Sequence, residues 1–264
     1  VSDDPVLLDI EDGVATITLN QPERRNALSK DVGDGIFEAL EDVEGSDARC
    51  VVVTGAGGAF CAGGDIDRMR RAFEHQPPLH ERAQRIGRTT QRLIGRLVDV
   101  ELPTVAKIDG PAVGAGANLA IACDLQLASE RSVMGFVFRQ VGLSVDAGTS
   151  YLLPRLVGEN VAKELVFTGD IFSAEKAEEL GVINHVYQDD EFEEQVDEMV
   201  EDIASGPTVA LGHAKRLIGD GFDKTLRRAL QDEAHAQGLV FGSADHREGV
   251  EAFLEERDPE FEGA

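Results

Sequence analysis

Asp109-Gly110-Pro111-Ala112-Val113-Gly114-Ala115-Gly116-Ala117-Asn118-Leu119-Ala120-Ile121-Ala122-Cys123-Asp124 is the stretch that decides the fold. The apolar run Thr104–Ile108 leads into it, and Asp109-Gly110-Pro111 cannot continue that run, because Gly and Pro end regular pairing and turn the chain. Gly114, Ala115 and Gly116 then give almost bare backbone, and Ala117–Cys123 reads as a buried helix. A small-residue turn feeding a helix leaves N–H groups unpaired at the positive end of the helix dipole. Such groups suit negative charge, whether a phosphate, a carboxylate or an enolate oxygen. Small residues in this pattern also serve close helix packing, so this window alone does not choose.

A second window chooses. Cys50-Val51-Val52-Val53-Thr54 is a short apolar strand, followed by Gly55-Ala56-Gly57-Gly58-Ala59-Phe60-Cys61-Ala62-Gly63-Gly64-Asp65. Bare backbone again leaves a buried strand. Together the windows resemble the crotonase (enoyl-CoA hydratase/isomerase) superfamily, whose two signatures match Ala59–Asp65 and Gly110–Gly116. The resemblance extends to Leu19–Leu28 and Arg247–Arg257, in order, over essentially the whole chain. It implies an α/β fold, a crotonase-type ββα superhelix (spiral) with a helical C-terminal region. Residues 1–200 are expected to form the core carrying the active site. Residues 201–264 are expected to form helices that cover the CoA pocket and build a homotrimer or homohexamer.

The 264 residues can bury a large core, and 42% are hydrophobic. No apolar stretch reaches the roughly 18–20 residues a membrane helix needs. Val1–Ile10 lacks the basic start and apolar core of a secretory signal, so a cytoplasmic protein is expected. Cys50, Cys61 and Cys123 each sit in apolar runs and read as buried thiols in a reducing compartment. Fifty acidic residues against 25 basic give a net charge of −25. That sign opposes nucleic-acid binding. Self-repulsion of this size is screened by molar salt, where the Debye length falls to about 3 Å, so the acidity reads as adaptation to a salt-rich cytoplasm.

Val6–Ile10 and Val14–Leu19 are strand-like and joined through Asp12-Gly13, which favours a tight hairpin. Ser29 can cap a helix over Asp31–Val43, with Val32, Ile36, Leu40 and Val43 on one face. Ile66–Glu81, with Arg68, Arg70, Arg71, His75, Pro77 and Pro78, suits a surface segment, and Arg82–Leu97 reads as a helix. Helices are expected over Ala147–Leu156, Val161–Phe167 and Ala174–Leu180, and a last strand over Val182–Tyr187. From Phe192 onward the chain reads as helix, broken at Gly206-Pro207 and near Gly242-Ser243.

Neither glycine turn completes a dinucleotide fingerprint, since its last position falls on Phe60 or Leu119. There is no Gly-x-Ser-x-Gly elbow, and His75, His80 and His185 have no zinc-like spacing. No cofactor or metal is expected; coenzyme A enters as part of the substrate. In the crotonase family two backbone N–H groups hold the thioester oxygen, and by motif position these belong to Gly64 and Ala115. The resemblance places the acyl-CoA thioester along Arg24, Arg25, Ala27, Ala62, Gly63, Gly64, Asp65, Ile66, Gly114, Asn118 and Phe138. Within that set Asp65 reads as structural, and Arg24 or Arg25 suits the phosphates, with the Arg68-Arg70-Arg71 cluster as an alternative or an addition.

The family's hydratases use two glutamates, whose positions fall here on Asn118 and Phe138; neither side chain can exchange a proton as a carboxylate does. A different carboxylate is available. Gly142-Leu143-Ser144-Val145-Asp146-Ala147-Gly148-Thr149 resembles a segment of isomerase branches, notably the phenylacetate-pathway isomerases that form oxepin-CoA. There an Asp at this place is the proton-transfer base. Shifting a double bond needs one base to take a proton from one carbon and return it to another. An Asp among apolar residues suits that task, because desolvation raises its pKa. The alternative is that Asp146 caps a helix beginning at Ala147.

Overall fold

The computed structural model describes residues 4–71, 73–74 and 78–264; His75 and Pro77 of the expected surface segment lie outside them. Strands β1 (Val6–Glu11) and β2 (Val14–Leu19) form an antiparallel hairpin. Asp12 (φ 49°) and Gly13 (φ 77°) both take the left-handed conformation, the geometry that an Asp-Gly turn supplies. A short 3-10 turn, Pro22–Arg24, precedes α1 (Lys30–Glu44). Ser29 caps α1 as expected, its Oγ accepting from the Val32 N–H at 3.2 Å. Val32, Ile36, Ala39, Leu40 and Val43 form the buried face of this helix.

β3 (Cys50–Gly55) is followed by α2 (Ile66–Arg71) and α3 (Leu79–Thr90). The helix expected over Arg82–Leu97 is interrupted: a π-helical segment, Gln91–Gly95, separates α3 from α4 (Arg96–Asp99). Next come β4 (Thr104–Ile108), β5 (Pro111–Val113), α5 (Ala115–Ile121), β6 (Leu125–Ser129) and β7 (Val133–Gly135). A 3-10 turn at Val137–Val141 leads to α6 (Thr149–Val157), α7 (Glu159–Thr168), β8 (Ile171–Ser173), α8 (Ala174–Glu179) and β9 (His185–Tyr187). The chain ends in α9 (Phe192–Ser205), α10 (Thr208–Gly221), α11 (Leu226–Val240) and α12 (Ala244–Glu255). The expected breaks near Gly206 and Gly242 are present, and α9 runs through residue 200.

The strands form two sheets, one ordered β1-β2-β3-β4-β6-β9 and the other β5-β7-β8. Gly110-Pro111 does end the pairing of β4, but only in the first sheet. Pro111 opens β5 in the second, a position where its missing N–H is tolerated. β6 and β7 repeat the step from the first sheet to the second. This two-strand alternation with an intervening helix is the ββα spiral.

β2, β3, β4, β6 and β9 pair in parallel, and β3 is buried on both faces, which explains its unbroken apolar run. Cys50 and Val52 pack with Phe192, Val196 and Val200 of α9, while Val51 and Val53 join the main core with α1. All three cysteines are free and buried. Burial pushes the Cys50 thiol up to about 12 and Cys61 to about 11, and raises Cys123 as well, so none is a nucleophile. Each of the six lysines is in an ion pair with an acidic side chain. Among the described residues, no helix is long and apolar enough to cross a membrane.

Candidate active site

The two glycine turns lie against each other because backbone reaches backbone. Cys61 pairs with Ala112 as a parallel bridge, its N–H donating to the Pro111 carbonyl and its carbonyl accepting from the Val113 N–H, both at 3.0 Å. A Cβ on Gly116 would stand 2.0 Å from the Cys61 carbonyl oxygen, so only glycine permits this approach. Gly63 has φ 101°, and a Cβ there would be 2.9 Å from the Val113 oxygen and 3.9 Å from the Ala115 nitrogen. The first turn thus sits directly beside the start of α5.

Bonds within these turns flank Gly64 and Ala115 and use neither N–H. Leu28 N–H donates to the Gly63 carbonyl at 2.7 Å, and Gly114 N–H to the Gly135 carbonyl at 2.8 Å. Gly63, Gly114 and Gly116 are buried, whereas Ala62, Gly64 and Ala115 are only half-buried. Gly64 and Ala115, one on each of the adjoining turns, thus keep backbone N–H groups that these bonds do not take up. Such a pair can stabilise negative charge that develops on one oxygen.

Asn26, buried and left-handed (φ 55°), latches the first turn. Its Nδ2 donates to the Ala56 and Ala59 carbonyls at 2.9 and 2.7 Å, and its Oδ1 accepts from the Gln21 N–H at 2.9 Å. The sequence reading gave this residue no role beyond motif membership. The signal was its place beside Ala27 and Leu28, ahead of a glycine turn that needs an external brace.

Asp65 is buried, and its Oδ1 accepts from the Arg68 N–H at 2.9 Å and from the Arg24 guanidinium at 3.0 Å; Arg71 stands 3.9 Å away. Burial opposes its ionisation, but these donors outweigh burial and hold the carboxyl below its ordinary value. These contacts tie the start of α2 to the loop that carries Arg24. Arg24 is thereby drawn to the first turn. Arg25 is exposed on the same loop, with its backbone carbonyl accepting from the Ala62 N–H at 2.9 Å. Ala27 is half-buried and Ile66 exposed at the start of α2.

Asn118 is fully buried, and both ends of its amide are spent on the turn that carries Asp146. Phe138 belongs to the main core. Asp146 does not cap a helix: α6 begins at Thr149, its N-cap is Gly148, and no side chain caps it. The helix expected from Ala147 starts later because Ala147 (φ 48°) and Gly148 (φ 82°) are left-handed. What Asp146 gives the turn is its carbonyl oxygen, which accepts from the Thr149 N–H at 3.0 Å.

Among the described residues, the Asp146 carboxylate has neither a hydrogen bond nor an ion pair. Asp146 is an exposed residue, yet the protein around its carboxyl desolvates it enough to raise its pKa. No group of His, Cys, Asp and Glu among the described residues is placed to hold a metal ion. A cavity of about 550 Å³ lies elsewhere, between α10 and α12 and lined by Val209, Val250, Phe253 and Leu254.

The sequence profile of the enoyl-CoA hydratase/isomerase family matches residues 9–264, and the chain belongs to that family. It is 36% identical to the 1,2-epoxyphenylacetyl-CoA isomerase of Escherichia coli (strain K12), over 98% of each chain. It is 32% identical to the crotonyl-CoA hydratase of Syntrophomonas wolfei, over 97% of each. Among solved structures, an enoyl-CoA hydratase/isomerase from Cupriavidus metallidurans CH34 superimposes with a TM-score of 0.92 at 30% identity, covering 100% of this chain and 98% of that one. An enoyl-CoA hydratase from Bacillus anthracis gives 0.90 at 31%, covering 98% and 100%. The crotonase fold and an acyl-CoA chemistry follow; the reaction does not, since hydratases and isomerases resemble the chain about equally.

Proposed function

We propose that the protein is an enoyl-CoA isomerase in which Asp146 shifts a C=C bond by proton transfer. The observation that carries this reading is the Asp146 carboxylate, unpartnered among the described residues and raised in pKa by desolvation. The thioester oxygen sits between the Gly64 and Ala115 N–H groups. Asp146 removes a proton from one carbon, the electron pair moves onto the thioester oxygen as an enolate, and the protonated carboxyl returns the proton at another carbon. Each N–H donor of such a hole is worth about 3–4 kcal/mol in the transition state. Coenzyme A is part of the substrate, and the cations at Arg24 and Arg25 suit its phosphates.

Likeness to the crotonyl-CoA hydratase supports the second reading, addition of water. Against it stand Asn118 and Phe138, which supply no carboxylate where that chemistry places two. Purified protein assayed in molar KCl with a linear 3-enoyl-CoA and with crotonyl-CoA separates the two. Isomerisation of the first at least about tenfold faster than hydration of the second is expected; the reverse ratio rejects the isomerase.

The same reading includes a salt-rich cytoplasm and a trimer or a dimer of trimers. Support for the assembly is the exposed apolar surface of α11 and α12, with Leu239, Phe241, Phe253 and Leu254 mostly open to solvent. Sedimentation of micromolar protein in molar KCl is expected to show trimer or hexamer, and monomer alone refutes it. A thermal melt is expected to rise steeply between low and molar KCl, and a flat midpoint refutes the salt adaptation.

A further inference from the structure

Asn118 stands one turn into α5, the helix whose first residue is Ala115. Its Nδ2 donates to the Asp146 carbonyl at 3.1 Å, and its Oδ1 accepts from the Thr149 hydroxyl at 2.6 Å. That hydroxyl also lies 2.8 Å from the Asp146 carbonyl, so its one proton is shared between the two acceptors. With the Thr149 N–H, one carbonyl gathers three donors. Thr149, like Asn118, is almost wholly buried. Ala147, inside this turn, holds a left-handed conformation that costs a non-glycine residue energy, and such a turn persists only where its surroundings over-determine it.

We infer that Asn118 and Thr149 are positioning residues that fasten the Asp146 turn to the helix bearing the Ala115 N–H. Base and oxyanion donor then keep one separation through the proton's removal and its return. The inference rests on Asp146 being the base. It also gives a reason for an amide at position 118: a carboxylate there would lack the donor that the Asp146 carbonyl takes. Misplacing a reacting group by about 1 Å costs on the order of 10²-fold in rate, so the tie acts on turnover more than on binding.

The test compares wild type, Asn118→Ala, Thr149→Val, Thr149→Ser and Asp146→Asn, with a linear 3-enoyl-CoA in molar KCl across pH. Asn118→Ala and Thr149→Val are expected to lose about 10- to 100-fold in kcat with KM within about threefold, and Thr149→Ser to stay within about threefold of wild type. In the first two, the acid limb of kcat is expected to move to lower pH, because a loosened turn rehydrates Asp146; a residue that serves stability alone would not move it. Unchanged kcat and limb in folded Asn118→Ala and Thr149→Val, beside an inactive Asp146→Asn, overturn the positioning role and leave the base intact. Wild-type turnover in Asp146→Asn overturns the base, and the positioning role with it. Hydrogen exchange at residues 146–150 supplies a readout that needs no substrate. Exchange at least about tenfold faster in Asn118→Ala and Thr149→Val than in Thr149→Ser is expected, and unchanged exchange overturns the tie.

Discussion

Asp65 and Asp146 are each joined to one of the paired turns, the first by following Gly64 in the chain and the second through Asn118 of α5. Exposure of the whole residue would rank them wrongly. Asp65 is only 8% exposed and yet titrates below its ordinary value, while Asp146, which water reaches, titrates above it. Desolvation of its carboxyl raises Asp146, and partners that outweigh desolvation lower Asp65. Asp65 receives the Arg68 N–H and the Arg24 guanidinium, and its charge is consumed in holding the first turn to its neighbours. Among the described residues nothing donates to the Asp146 carboxylate, which leaves it available to take and give back a proton. Of the two acids, one is spent and the other available.

The sharpest way to break this contrast is to neutralise each in turn. Asp146→Asn keeps the shape and removes the base, so isomerisation of a 3-enoyl-CoA is expected to fall by about two to four orders of magnitude while CoA-ester binding changes little. Asp65→Asn is expected to stay within about tenfold of wild type when rates are measured on folded protein, since its oxygens face protein donors. Equal losses in the two variants would erase the distinction.

Asp65→Asn is expected to show its effect in stability instead. The loss should be about 1 kcal/mol by denaturant titration in molar KCl: the amide Oδ1 still accepts from the Arg68 N–H at the start of α2, and what goes is the charge that strengthens that bond. The Arg24 and Arg71 contributions are screened, since those side chains are 38% and 64% exposed. Asp146→Asn should not lose stability in the same assay. Its turn is held through a backbone carbonyl, which the substitution leaves in place.

The features of this contrast were unequally visible in the sequence. Single elements could be read because their signals are local: Asp12-Gly13 for the hairpin, Ser29 for the cap of α1, the run at Cys50–Thr54 for a buried strand; the spiral they build was implied by the family resemblance. Gly64 and Ala115 could be named by motif position. Their pairing depends on contacts across the chain, such as Cys61 to Ala112, that no local pattern encodes. Gly110-Pro111 reads as a stop, and only the topology shows it as a step from one sheet to the next. Asn118 stood out for what it cannot do as an acid. Its donor to the Asp146 carbonyl lies 28 residues away along the chain and is invisible without the fold. The cap reading of Asp146 failed because left-handed Ala147 and Gly148 push the helix start to Thr149, whose N–H goes to the Asp146 carbonyl and not to its carboxylate.

The smallest expected effect is also the most direct measure of the two proton affinities. A carboxyl raised in the folded state binds its proton more tightly there than in the unfolded chain. Its favourable contribution is complete below the ordinary carboxylate pKa of about 4 and is lost as pH rises through the raised value. At neutral pH the Asp146 charge therefore works against folding, and Asp146→Asn should melt slightly above wild type, with the gap closing as pH falls toward about 4. A lowered carboxyl runs the other way. Asp65 stabilises the fold above its ordinary pKa and loses that contribution as pH falls through the lowered value, so Asp65→Asn should melt below wild type at neutral pH and converge with it in acid. Melts of the three proteins in molar KCl, from about pH 3 to 8 at fixed protein concentration, should show wild type lying between two variants displaced in opposite directions. Displacement of both in the same direction at neutral pH would mean that Asp146 is stabilised by a partner, and the base reading would lose the available carboxylate on which it stands.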